Sequence, residues 1–139
     1  MRLFLDTSVL LAACGSATGA SREIFRRAPA NDWTLIATPY VVAEVLRNLP
    51  DFPPSASGNW ARLRPAILVM DDVLTIDRPA VFQAAKDRPI LFSALAWADV
   101  LLTLDRADFG ELLGTAFYDL RVLKPGVFLE QERVAGHLG

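Results

Sequence analysis

One cysteine and one histidine stand among 139 residues, and that scarcity closes several routes to function. Cys14 cannot form an internal disulfide, and with His137 alone beside it no zinc site can be assembled. No apolar run approaches the roughly 18 residues of a membrane span. The opening stretch 1–13 is apolar, yet it carries Asp6 at its middle, where a targeting segment would carry no charge. It reads as a core strand and its following turn. Repeats, low-complexity tracts and interdomain linkers are missing too, so residues 1–139 read as one domain, cytoplasmic by default. Lysine is scarce: two against twelve arginines. A GC-rich genome would explain that bias as well as any phosphate-binding role.

What is present points to a packed α/β fold. Hydrophobic residues make up 53% and charged residues 22%, enough to build a sound core. Short apolar runs at Arg2–Leu5, Thr34–Ala37, Val73–Ile76, Val100–Thr103 and Arg121–Leu123 read as strands. Between them lie helical patterns. Ser21 caps one that runs to about Ala28, and Thr38-Pro39 opens a second that stops at Pro50. Asp51–Gly58 reads as a surface loop, and Asn59–Met70 as a helical stretch interrupted at Pro65. Asp77 caps a further helix, Asp87 precedes another that runs to Ala98, and Pro125–Glu130 closes the chain. Strands alternating with helices imply three α/β/α layers around a parallel sheet of about five strands, joined by right-handed crossovers.

That topology gives four acids a common address. Asp6 follows strand one, and Asp105 lies just past strand four. Glu44 sits in the second turn of the helix leaving strand two, and Asp87 opens the helix that leads into strand four. All four therefore belong to the rim where strands end, which is where ligands bind in open parallel sheets. Two carboxylates about 5 Å apart repel by roughly 3 kcal/mol at an effective dielectric near 20. Such a group needs a hard divalent cation, Mg²⁺ or Mn²⁺, which takes oxygen ligands and keeps waters for a phosphate substrate. Four neutralised carboxylates would also turn the net charge of −2 into +2. Each acid has a plainer reading as well: Asp87 as a helix cap, Glu44 as a solvated helix residue, Asp105 as a turn residue paired with Arg106. Asp6 resists one, since a central strand has little use for a buried charge.

The segments Leu5-Asp6-Thr7-Ser8, Pro39 to Glu44, Asp87-Arg88-Pro89-Ile90 and Thr103-Leu104-Asp105-Arg106, in that order, resemble the PIN-domain family of metal-dependent ribonucleases. A final Val122-Leu123-Lys124-Pro125 segment with Phe128-Leu129 extends the likeness over nearly the whole chain. The resemblance implies a Mg²⁺- or Mn²⁺-dependent endoribonuclease that hydrolyses RNA phosphodiester bonds. Asp6, Glu44, Asp87 and Asp105 would be catalytic metal-binding acids, with Asp108 as a possible fifth. Thr7 or Ser8 would offer a hydroxyl, and Thr103 would support it. Small bacterial members are often VapC-like toxins, usually homodimers, held inactive by a cognate antitoxin. Lys86, Arg88 and Pro89 depart from the small or acidic residues often found around the third acid.

Rival families fit less well. A dehalogenase-like phosphatase needs a second acid two residues after the first, where this chain has Ser8. A phospho-receiver domain needs an acidic pair near Asp6 and a better-placed lysine than Lys124. The alternative from another class is a catalytically silent PIN-like interaction module, binding a protein partner or RNA. Of the three tryptophans, Trp97 reads as core and Trp60 as a surface contact. Arg47, Arg88 and Arg106 are candidate phosphate contacts.

Overall fold

The computed structural model describes residues 1–74 and 88–138. Strand β1 (Arg2–Leu5) is its centre. Successive residues of a strand face opposite sides of the sheet, and Leu3, Phe4 and Leu5 are all fully buried, so both faces are covered. β1 pairs in parallel with β2 (Thr34–Ala37) on one side and β4 (Val100–Leu102) on the other, Phe4 lying against Ile36 and Leu101. β3 (Ile67–Val69) extends the sheet beyond β2, and β6 (Leu120–Leu123) extends it beyond β4, both parallel. β5 (Thr115–Phe117) adds an antiparallel edge against β6. The order is β3-β2-β1-β4-β6-β5. The chain leaves β1 toward β3 and returns to β4 on the other side, so the topological switch point falls between β1 and β4.

Helices α1 (Thr7–Gly15), α2 (Ala20–Asn31), α3 (Pro39–Asn48), α4 (Ser55–Leu63), α5 (Arg88–Trp97), the single turn α6 (Arg106–Phe109) and α7 (Pro125–Val134) cover this sheet. α1 packs on α2, α3 and α4, while α5 lies on β1 and β4. Buried side chains such as Val9, Leu10, Ile24, Val41, Val45, Leu91 and Phe128 join the strand residues in one core. Each large one contributes about 1.5–3 kcal/mol relative to an exposed position. No helix among the described residues is long and apolar enough to cross a membrane.

The structure differs from the sequence reading at several places. Residues 7–13 are not a turn but most of helix α1, whose continuous apolar run hides the helical period. The loop read at Asp51–Gly58 is shorter, because α4 already begins at Ser55. The helix read through Met70 ends at Leu63. Pro65 sits in a tight 3-10 turn, after which Ile67-Leu68-Val69 form β3. Val73 and Leu74, read as the start of a strand, carry none. The rest of that strand, the helix after Asp77, and Asp87 itself lie outside the described residues. Among the described residues the sheet has six strands: its third is Ile67–Val69, and β5 has no counterpart in the sequence reading. Its turn is Tyr118-Asp119, both at positive φ, without the Asn-Gly signal of a tight hairpin. Trp60 is buried, not a surface contact; Trp97 is half-buried and donates from its indole nitrogen to the Asp71 carbonyl at 2.8 Å.

Candidate functional site

The candidate site lies at the switch point, where β1 and β4 end side by side. Asp6 is the residue that stops β1 and caps α1. Its backbone N–H donates to Leu102 of β4 at 3.0 Å, and its carboxylate accepts from Thr7 N at 2.7 Å. The carboxylate is only 3% exposed, so every further bond matters. Ser8 Oγ and Thr103 Oγ1 both donate to Asp6 Oδ2, at 2.8 and 2.7 Å. These hydroxyls are themselves held, because Ser8 Oγ accepts from Leu104 N and Thr103 Oγ1 from Asp105 N, each at 3.0 Å. The loop after β4 is thereby tied to the first turn of α1.

Glu44 enters from α3. Its Oε1 accepts from Thr7 Oγ1 at 2.9 Å, a bond that pins α1 to α3 at this level. Asp105 caps α6 through a 3.0 Å bond from Asp108 N to its Oδ1. Asp6, Thr7, Ser8, Leu11, Glu44, Asn48 and Asp105 line one cleft of about 200 Å³. Three of the four acids named from sequence thus share a cleft, and Asp87 lies outside the described residues. Asp108 is half-buried but is not among the cleft-lining residues, and neither are the exposed Arg47, Arg88 and Arg106.

No arginine among the described residues forms an ion pair in this cleft. Among the described residues the ion pairs run from Arg26 and Arg27 to Glu23, from Arg133 to Glu130, and from Arg121 and His137 to Glu132. Asp6, Glu44 and Asp105 take part in none of them, so the pairing of Asp105 with Arg106 that a plainer reading would use is not formed. Burial pushes the Asp6 carboxyl above its ordinary range. The bonds from Thr103, Ser8 and Thr7 oppose that shift, and the negative charge of Asp105 adds to it.

The oxygens left over decide what the cleft can hold. A carboxylate offers about four lone-pair positions. The Asp6 carboxylate accepts three bonds, leaving one lone pair on Oδ1. Glu44 Oε2 and Asp105 Oδ2 have no partner among the described residues. Among the described residues no group of three or more acids, histidines or cysteines is placed so that by itself it could hold a metal ion. The open carboxylate oxygens suit an ion that keeps part of its own water shell, as Mg²⁺ does.

Sequence reasoning missed two lining residues, Leu11 and Asn48. Each stands four positions beyond a site residue on the same helix, Thr7 and Glu44, and that i+4 spacing was the available signal.

This architecture is a PIN-like α/β fold. The crystal structure of VapBC2 from Rickettsia felis bound to a DNA fragment from their promoter aligns with 88% of this chain and 97% of its own, at 13% identity and a TM-score of 0.61. The crystal structure of Mycobacterium tuberculosis VapC20, a Sarcin-Ricin loop cleaving toxin, aligns with 78% of this chain and 94% of its own, at 17% identity and a TM-score of 0.46. The fold follows from the first of these alone. No family model matches the sequence, and neither does any curated protein.

Proposed function

We propose that this protein is a divalent-metal-dependent endoribonuclease. The observation that carries the proposal is the strand-end cleft, in which Asp6, Glu44 and Asp105 meet without an ion pair to any described residue. Asp6, Glu44 and Asp105 would hold Mg²⁺ or Mn²⁺, with Asp87 as a fourth acid and Asp108 as an outer one. Held by these residues, such an ion would supply Lewis-acid chemistry: alignment of the phosphodiester, a more acidic water and charge stabilisation at the departing oxygen.

The protein's own residues supply the rest. Ser8 and Thr103 fix the orientation of the Asp6 carboxylate at the cleft. Thr7 does the same for Glu44, leaving Oε2 open. The exposed Arg47, Arg88 and Arg106 would contact RNA phosphates outside the cleft, giving binding that weakens steeply with salt. An unpaired strand reaches such a rim most easily.

We assign the protein the role of toxin in a toxin–antitoxin pair, acting in the cytoplasm as a homodimer and restrained by a cognate antitoxin. The likeness to VapBC2 supports this role through the fold. Purified protein incubated with single-stranded RNA tests the activity. Cleavage that needs Mg²⁺ or Mn²⁺ and disappears in Asp6→Asn is the expected result. No metal response together with no cleavage would favour the silent interaction module instead.

A further inference from the structure

The cleft does not end at the acids. Helix α3 brings Glu44 to it in its second turn, and Asn48 follows four residues later on the same face, about 6 Å further along the axis. Helix α1 repeats the pattern with Thr7 and then Leu11. The Thr7–Glu44 bond joins the helices at the first level, and Leu11 and Asn48 form the next. One end of the cleft is therefore anionic, while the other offers one apolar side chain and one neutral amide.

The Asn48 amide has a fixed orientation. Its Nδ2 donates to the Glu44 backbone carbonyl at 2.7 Å, and a carbonyl can only accept, so the nitrogen must face it. Oδ1 is then turned away and has no partner among the described residues. An uncharged acceptor repels phosphate oxygens, and its backbone stands one helical turn, about 6 Å along the axis, beyond that of Glu44. What suits it is a hydrogen-bond donor carried on a flat apolar body that can lie against Leu11.

We infer that Leu11 and Asn48 form a base pocket, which takes an unstacked nucleobase flanking the scissile phosphate and accepts a hydrogen bond from its amino group at Asn48 Oδ1. This inference rests on the ribonuclease reading. It adds a substrate preference: adenine, cytosine or guanine, each with an exocyclic amine, over a base lacking one. Unpaired RNA bases are commonly read by their edges in this way.

The test uses single-stranded RNA oligonucleotides that differ only at the nucleotide flanking the cut. Their cleavage by the wild type is compared with that by Asn48→Leu, which keeps the bulk and removes the acceptor. The wild type should favour one amino-bearing base over the same base without its amine by about three- to tenfold in kcat/KM, the effect of one hydrogen bond. Asn48→Leu should lose that discrimination while keeping the Mn²⁺-induced rise in melting temperature. A base preference that survives in the variant overturns the pocket. So does a 2′-deoxy substitution at that nucleotide that abolishes the effect of the variant, since the donor would then be the ribose. If the wild type cleaves nothing, the ribonuclease reading fails separately. Binding of the same oligonucleotides then decides the pocket: preference lost in Asn48→Leu supports it, and preference retained overturns it.

Discussion

Replacing Asp6 with asparagine separates two effects that most active-site substitutions confound. The asparagine amide can keep all three bonds of the native carboxylate. Its oxygen accepts from Thr7 N, and its nitrogen donates to Ser8 Oγ and Thr103 Oγ1, each using the one lone pair left beside its bond from Leu104 N or Asp105 N, while the two hydroxyl protons give up their Asp6 acceptor. The substitution therefore removes the charge and leaves the frame standing. In metal-free protein that removal is favourable, because the carboxylate is buried and Asp105 is near enough to raise its pKa. The charge of Asp105 is the smallest of the influences on Asp6, and with water around that half-exposed residue their repulsion is about 1–2 kcal/mol at an effective dielectric near 20. Each kcal/mol moves the melting temperature of a chain this size by about 3–4 °C. Metal-free Asp6→Asn should then melt about 3–8 °C above the wild type. Mg²⁺ reverses the order: at a hundredfold excess over the dissociation constant it stabilises the wild type by about 2.7 kcal/mol, and the variant hardly at all. Calorimetric melting with and without Mg²⁺ reads both halves. A variant that is less stable without metal and equally stabilised by it would refute the reasoning, because Asp6 would then be a structural acceptor only.

Further outcomes follow from the same geometry. Metal-free stability should depend on pH through Asp6. A carboxyl raised above its unfolded value leaves the folded state holding the extra proton, so stability falls as pH rises from about 4 through the raised value and is recovered on acidification. Measured across that window, the advantage of Asp6→Asn should shrink toward low pH. Glu44→Gln keeps an acceptor for Thr7 and should leave folding intact while abolishing RNA cleavage, read by gel assay. Thr103→Val removes a donor to Asp6 and strands the Asp105 N–H, costing about 1–3 kcal/mol in urea unfolding, whereas Thr103→Ser should restore it. Arg47→Ala and Arg106→Ala should each lower the slope of log RNA affinity against log salt by about 0.7.

The acids were legible because they depend only on chain order. Once β1 and β4 are recognised as parallel strands, Asp6 and Asp105 must stand at their carboxyl ends, and Thr38-Pro39 fixes where the helix that carries Glu44 begins. The hydrogen-bond frame was harder to read, because Ser8 and Thr103 are ordinary residues until the two strand ends become neighbours. Asn48 was missed for another reason. An asparagine near a helix end normally signals a cap, and only the cleft shows that its amide oxygen is open. Among the elements, Ile67–Val69 was taken for helix because Pro65 interrupted the pattern without marking the change of period. β5 is half-exposed and too short to display alternation.

The account stands on the capacity of the cleft to hold a cation, and Mn²⁺ titration followed by electron paramagnetic resonance measures that directly. The wild type should bind at least one Mn²⁺ per chain, with the affinity falling at least tenfold in each of Asp6→Asn, Glu44→Gln and Asp105→Asn. Mn²⁺ bound equally by all four proteins, or by none, would contradict it.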